Sequence, residues 1–145
     1  MTIRTPGTIL IVDDDEDAAL LLRDMLRRRG FVVDAVHSGQ RALERLATIP
    51  ADVVVTDVQM PGMTGIELCV ELHARHADQL AIVITGRDGV EVRRSATDAG
   101  AYAFMVKPVE ASALALTIGQ ALTDLALRRE PQHLDPASAA DGVDA

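Results

Sequence analysis

Three aspartates and one lysine follow short apolar runs in this sequence, and together they could carry out metal-assisted phosphoryl transfer. Asp13 and Asp14 follow the run ILIV, Asp57 follows VVVT, and Lys107 follows AFMV. If each run is a parallel strand, the four side chains meet at the carboxyl edge of one sheet, where ligands bind. Three neighbouring carboxylates raise each other's pKa unless a cation lies among them. An all-oxygen set with few carboxylates leaves positions for water and substrate oxygens, which suits Mg²⁺.

Two side chains at strand ends could bind the oxygens of a phosphoryl group. The ammonium group of Lys107 can pair with one oxygen, and the hydroxyl of Thr85, which follows LAIVI, can donate to another. Because phosphoryl transfer depends mainly on positioning and charge stabilisation, the Asp57 carboxylate can itself be the nucleophile. The Met60-Pro61-Gly62 break just after Asp57 keeps the loop from closing over it.

The hydrophobic pattern predicts five strands alternating with five helices. The strands are predicted at 9–12, 31–36, 52–56, 80–84 and 102–106, and the last helix at about 110–129. Since the strands are almost uniformly apolar, they indicate a parallel sheet with helices on both faces, which is a doubly wound α/β fold.

Helical spacing predicts which side chains face the core. In the first helix the predicted stripe is Ala18, Leu21, Leu22, Met25 and Leu26. In the third it is Ile66, Cys69, Val70 and His73, after a capping box formed by Thr64 and Glu67. The fourth helix has few large apolar residues, so we expect it to pack lightly and to shift. In the last helix Leu116 and Leu127 fall outside the core stripe and leave apolar surface exposed.

Composition narrows the class of protein. The chain has 145 residues, 48% of them hydrophobic, a formal net charge of -8 and one cysteine. We expect one domain at 8–129, an N-terminal extension at 1–7 and an acidic, disordered tail at 130–145. The acidic balance argues against nucleic-acid binding through a basic face. Without a long apolar run or a signal sequence, we expect a cytoplasmic protein that does not enter a membrane.

The motifs ILIVDDD, VVVTDVQMPGMTGIEL, IVITG and GAYAFMVKP, in this order, resemble the receiver domain of bacterial two-component response regulators. The resemblance covers about residues 8–129 and is specific, because the whole set falls at successive strand ends. It implies a flavodoxin-like sheet of order 2-1-3-4-5 with five helices in three layers. It also implies Mg²⁺-dependent transfer of a phosphoryl group to Asp57 from a sensor histidine kinase or a phosphotransfer protein.

The resemblance assigns roles to individual residues. Asp14 would bind Mg²⁺ directly, Asp13 through water, and the main-chain carbonyl of Gln59 would complete the protein's share of the ligands, together with the phosphoacceptor. Mn²⁺ would serve as a substitute ion. Thr85 and Lys107 would bind the phosphoryl oxygens.

The resemblance also implies a switch. Thr85 would move toward the phosphoryl group and Phe104 would turn inward behind it, which changes the face made by the fourth helix, fifth strand and fifth helix. The peptide bond between Lys107 and Pro108 is expected to be cis. Gln59 and Arg87, each two residues past a site residue, are expected to tune the lifetime of the phosphoryl group. The same face could support a phosphorylation-dependent homodimer or bind a downstream protein target.

Three alternatives remain open from the sequence. A phosphatase of the haloacid dehalogenase type also forms an aspartyl phosphate, but its DxDxT pattern follows the first strand, and this chain places the reactive Asp57 after the third. The chain could instead be a receiver fragment of a larger transcriptional regulator or hybrid kinase, or a binding module that is never phosphorylated. We favour a stand-alone phosphoacceptor switch that catalyses only its own phosphorylation and dephosphorylation.

Overall fold

A five-stranded parallel sheet with helices on both faces makes up residues 7–129, the part of the chain that the computed structural model describes. Its elements in chain order are β1 (Thr8–Val12), α1 (Glu16–Arg28), β2 (Val32–Val36), α2 (Gly39–Thr48), β3 (Val53–Asp57), α3 (Gly65–Arg75), β4 (Leu80–Thr85), α4 (Val90–Asp98), β5 (Ala103–Val106) and α5 (Ala111–Arg129). The strand order is β2-β1-β3-β4-β5, and every pairing is parallel. The predicted fold class is therefore confirmed. Expectations for residues 1–6 and 130–145 lie outside the described residues.

The three central strands are buried on both faces, which explains their uniformly apolar sequences. All residues of β3 and β4 are buried, as are the last four of β1. Successive side chains of a strand point to opposite faces. Accordingly Leu10 and Val12 pack with α2 and α3, whereas Ile9 and Ile11 pack with α1 and α5. The sheet thus has a separate hydrophobic core on each face, and the structure has the predicted three layers.

Side-chain caps fix where the helices begin relative to the strand ends. The Asp15 carboxylate accepts a hydrogen bond from the Ala18 amide at 3.1 Å, so α1 begins directly after the acidic pair that follows β1. Thr64 and Glu67 form the predicted capping box, with reciprocal bonds of 2.9 and 3.1 Å. Each such cap satisfies amide groups that have no partner inside the helix. The loops that follow β1 and β3 are therefore held at both ends.

The predicted core stripe of α1 was wrong in one important position. Leu21 is 63% exposed, and the buried residues of the helix are Ala19 and Leu26. Residues 20–22 are three consecutive leucines, so the sequence is compatible with more than one helical phase. The small side chain of Ala19 lets the helix approach the sheet closely, and this phase leaves Leu21 facing outward.

The stripe of α3 was wrong in a similar way. Cys69 is buried as predicted, and burial raises the pKa of its thiol to about 12, as expected for an unreactive core cysteine. The helix packs through Leu68 and Leu72 on either side of Cys69, whereas Val70 is 52% exposed. Spacing alone does not separate the predicted stripe from the observed one, because both contain Cys69.

Gly65 allows α3 to lie directly against the backbone of Asp57. A Cβ atom at this position would be 2.1 Å from the Asp57 carbonyl oxygen, and the Gly65 amide already donates to the Val58 carbonyl at 2.8 Å. We expect Gly65→Ala to lower the free energy of unfolding by about 2 kcal/mol or more, because the contact is with backbone that cannot rotate away.

Urea unfolding followed by circular dichroism measures this effect, and Gly119→Ala is the matched control. Gly119 lies inside α5 with nothing within 4 Å of its Cβ position, so alanine there should stabilise the chain by up to about 1 kcal/mol. Equal effects at the two glycines would contradict the close approach.

Candidate functional site

The three predicted carboxylates meet at the carboxyl edge of the sheet. β1 and β3 pair directly, with Val12 opposite Thr56, so the residues that follow these positions are neighbours. One carboxylate oxygen from each of Asp13, Asp14 and Asp57 lies within 4.8 Å of the others. Asp57 is buried, Asp13 is half-buried and Asp14 is exposed. The trio therefore forms a cluster that opens toward solvent on one side.

Backbone contacts hold Asp13 in place. Its amide donates to the Val36 carbonyl at 3.1 Å, which continues the pairing of β1 and β2 by one residue. Its carboxylate accepts from the Asp15 amide at 3.0 Å, and its carbonyl lies 3.1 Å from His37 Nδ1. The position of this acid is thus set before any ligand arrives, which is a requirement for a preorganised site.

The electrostatics of the trio favour a bound cation. Burial raises the pKa of Asp13 above its ordinary value, and the negative charge of Asp57 raises it further, although the hydrogen bond from the Asp15 amide opposes both. The Lys107 ammonium lowers the pKa of Asp13 only in part, so its ionised carboxylate stays destabilised without a further positive charge. All the ligand atoms that the trio offers are carboxylate oxygens, the donors that a hard ion such as Mg²⁺ prefers. The residues present therefore fit Mg²⁺.

Lys107 brings a positive charge to the other side of Asp57. Its Nζ atom is 3.3 Å from Asp57 Oδ2, and its side chain is 43% exposed. The Lys107 amide donates to the Thr85 carbonyl at 2.8 Å, which extends the pairing of β4 and β5 to the site. The bond between Lys107 and Pro108 is cis, as predicted. Asp57 therefore lies between an acidic pair and an ammonium group.

Thr85 lies at the predicted strand end but contacts its own loop. It is fully buried, and its hydroxyl accepts from the Arg87 amide at 3.0 Å. Among the described residues the Thr85 hydroxyl forms no hydrogen bond with Asp57 or with Lys107. Because a hydroxyl that accepts from an amide can still donate its own hydrogen, Thr85 remains able to donate to a group bound on Asp57.

The remaining predicted site residues lie around this centre. Gln59 and Arg87 are exposed, in the loops that follow β3 and β4. Met60, next to Gln59, is buried in the core and anchors the loop after Asp57. Phe104 is half-buried on β5. The functional roles of Gln59, Arg87 and Phe104 stay predictions.

An apolar groove beside Asp57 was missed by the sequence reasoning. It has a volume of about 500 Å³ and runs between α1 and the segment after β5. Leu21 and Leu22 line one wall, Pro108 and Val109 line the other, and Asp57 lies in the floor. The sequence feature that indicates this groove is the run of three leucines at 20–22, because one face of a helix cannot bury all three. Leu21 and Leu22 were assigned to the core because spacing does not separate a core stripe from a docking stripe.

Comparison with known proteins identifies the family. The profile of the response regulator receiver domain matches residues 9–119. The chain belongs to this family. It is 40% identical over 100 residues to the response regulator MprA of Mycobacterium ulcerans, a match that covers 69% of this chain and 43% of that protein. It is 39% identical over 103 residues to MprA of Mycolicibacterium vanbaalenii, covering 71% of this chain and 45% of that protein.

Solved receiver domains share the fold. A receiver domain protein from Methanospirillum hungatei superposes with a TM-score of 0.81 at 26% identity, covering 85% of this chain and 98% of that one. A receiver domain from Clostridium thermocellum gives a TM-score of 0.79 at 26% identity, covering 84% and 98%. The receiver domain spans less than half the length of the curated relatives it matches.

Within residues 7–129, no helix combines the length and the apolar composition needed to span a membrane.

Proposed function

We propose that this receiver domain takes a phosphoryl group onto Asp57 from a sensor histidine kinase or a phosphotransfer protein in the cytoplasm. The observation that carries the proposal is the position of Asp57, within 4.8 Å of two further carboxylates and 3.3 Å from the Lys107 ammonium. This arrangement combines a nucleophile, a cation site and a phosphate-binding charge. Reaction with acetyl phosphate and Mg²⁺, followed by intact-mass measurement, tests it.

The transfer itself is a displacement at phosphorus. An oxygen of the Asp57 carboxylate forms a bond to phosphorus, and the bond between phosphorus and the donor's histidine nitrogen breaks. The nitrogen keeps the electron pair of that bond and takes up a proton. Lys107, which lies 3.3 Å from Asp57 Oδ2, would pair with one phosphoryl oxygen, and the Thr85 hydroxyl would donate to a second. The reaction consumes no further reactant.

The acidic pair is assigned to metal binding. Asp14 would hold Mg²⁺ directly and Asp13 through water, with Asp57 and the Gln59 carbonyl as the other protein ligands. When bound, Mg²⁺ neutralises the developing charge on the phosphoryl oxygens. The protein's own contribution is to hold Asp13 through the three contacts described above, so that little rearrangement is needed when the donor arrives.

The proposed roles of Gln59 and Arg87 are supported by their exposure in the loops that follow β3 and β4. We assign them to control of water access, and thereby of the lifetime of the phosphoryl group. Loss of that group by hydrolysis is the only other reaction we assign to the chain. No residue on the described chain is assigned to a phosphatase cycle with an external substrate.

The apolar groove beside Asp57 is where we place the protein donor. Leu21 is 63% exposed in the unbound chain, and a donor helix in the groove would cover it while bringing its phosphohistidine to Asp57. We expect Leu21→Gln to slow transfer from a kinase by about five- to tenfold, equivalent to roughly 1–1.4 kcal/mol of lost burial. The rate of phosphorylation by acetyl phosphate, which needs no docking, should be unchanged.

Radiolabel transfer from a phosphorylated kinase that is active on the wild-type chain measures this rate. Val70→Gln is the matched control, because Val70 is similarly exposed but lies on α3, across the sheet. Equal slowing with both phosphodonors, or in both variants, would argue against docking in the groove.

A homodimer of the phosphorylated form is the second assembly that we propose. Leu116 and Leu127 are 65% and 63% exposed. Because they are eleven residues apart on α5, they lie on nearly the same side of the helix. We expect beryllofluoride with Mg²⁺ to shift the chain from monomer to dimer in light scattering, and Leu116→Gln to weaken that shift severalfold. A monomer mass that is the same with and without beryllofluoride would remove the dimer. In that case the same face remains for a downstream target.

A further inference from the structure

Helix α4 is weakly attached along its first half. Within Val90–Asp98 only Ala96 is buried, and the N-cap Gly89 provides no side-chain cap. The other end is better held, because the Gly100 carbonyl lies 2.8 Å from His73 Nε2 and Gly100 adopts the positive φ that closes the helix. The position of the first turns of α4 therefore depends on contacts made by exposed side chains.

Arg93 makes two of these contacts. Its guanidinium carbon lies 4.8 Å from the centre of the Phe104 ring, within the range of a cation–π contact. Its Nε atom donates to Asp88 Oδ1 at 2.7 Å, and this hydrogen bond holds the pKa of the Asp88 carboxyl below its ordinary value. One side chain thus connects α4 both to β5 and to the loop that follows β4.

That loop is also the one that engages Thr85. Asp88 follows Arg87 directly, and the Arg87 amide donates to the Thr85 hydroxyl. If Thr85 moves to donate to a phosphoryl oxygen on Asp57, the loop loses this contact and rearranges. Because Asp88 lies in the same loop, the rearrangement disturbs its bond to Arg93.

We propose that Arg93 is a latch that keeps α4 against Phe104 in the unphosphorylated chain and releases it when the Thr85 loop rearranges. The inference rests on the proposed function and adds a named device to it. A contact made in only one of two states stabilises that state, so the latch opposes the phosphorylated conformation. Removing it should raise the affinity for any ligand that favours the other state.

Beryllofluoride with Mg²⁺ is the probe, since it mimics a phosphoryl group on a carboxylate. We expect Arg93→Gln to lower the dissociation constant of beryllofluoride about two- to fivefold. This factor corresponds to the free energy of an exposed cation–π contact. Arg93→Lys keeps the charge but loses the planar group, so its dissociation constant should lie between those of wild type and Arg93→Gln. Arg94→Gln is the control, because Arg94 is exposed on the same helix and forms no ion pair with any described residue.

Hydrogen exchange of the unliganded chain gives a second measurement that does not involve the metal site. Arg93→Gln should speed exchange of the α4 amides by a similar factor and leave α3 unchanged. In a double variant with Phe104→Leu, the effects on the dissociation constant should be less than additive if both remove the same contact.

The outcomes separate the two proposals. An Arg93→Gln dissociation constant equal to that of Arg94→Gln, or higher than that of wild type, overturns the latch while the proposed function stands. A wild-type chain that binds no beryllofluoride overturns the proposed function and the latch with it.

Discussion

Asp57→Ala should abolish the covalent phosphoryl adduct that the wild-type chain forms with acetyl phosphate and Mg²⁺. Asp57 is the one acid of the trio that is both buried and within 3.3 Å of a lysine ammonium. A phosphoryl group on the Asp57 carboxylate would therefore be close both to Lys107 and to the acidic pair. Because positioning and charge stabilisation supply most of the rate in phosphoryl transfer, a carboxylate elsewhere on the surface should not substitute for it.

The substitution should leave the fold intact, so the loss can be attributed to chemistry. Lys107 is 43% exposed, and water can solvate its ammonium when the Asp57 carboxylate is removed. Circular dichroism and thermal unfolding check this point. Asp98→Ala, at the exposed end of α4, is the control for removal of an acid remote from the site and should form the adduct as wild type does. An adduct of the same mass in Asp57→Ala would show that another residue is the acceptor.

The meeting of the site's side chains could be predicted from the sequence because the buried apolar runs end at the polar residues. β1, β3 and β4 are covered on both faces, so each appears as an unbroken apolar run, and the residue at which the run ends is unambiguous. Parallel pairing then brings those ends together whatever the details of the loops. Asp13, Asp14 and Asp57 meet as predicted for this reason, and Lys107 joins them at the end of β5, which is only half-buried.

The features that could not be predicted depend on helix phase and on side-chain orientation. The leucines 20–22 fit several phases of α1, and only packing against the sheet shows that Leu21 faces the groove. The direction of the Thr85 hydroxyl depends on a loop amide two residues away. The contact between Arg93 and Phe104 joins a helix to a strand and follows no local pattern. Each of these is decided by tertiary geometry and has no fixed spacing in the chain.

Asp13→Asn should stabilise the chain in metal-free buffer and destabilise it relative to wild type when Mg²⁺ is present. Without a cation, burial and the charge of Asp57 both disfavour the ionised form of Asp13, as its raised pKa indicates. Asparagine removes this charge, and its side-chain oxygen can still accept the hydrogen bond from the Asp15 amide. We therefore expect the free energy of unfolding to increase.

Saturation with Mg²⁺ should reverse the order of stability. A ligand that binds only the folded state stabilises it by about 2.7 kcal/mol when its concentration is 100 times its dissociation constant. The free energy of unfolding of wild type should increase by this amount. That of Asp13→Asn, which has one carboxylate fewer, should increase little at the same Mg²⁺ concentration. Urea unfolding with a chelator and with Mg²⁺ measures both differences without any phosphoryl chemistry.

Asp17→Asn is the matched control for this reversal, because it removes one negative charge from the same edge of the sheet, in the exposed first turn of α1. Its free energy of unfolding should be a few tenths of a kcal/mol lower than that of wild type in both buffers, because the interaction with the helix dipole is weaker. Its response to Mg²⁺ should be that of wild type. If Asp13→Asn and wild type gained equally from Mg²⁺, the trio would not be the cation site. The Asp57 carboxylate would then need another source of charge compensation, and Lys107 is the only ammonium that the described residues place within reach of it.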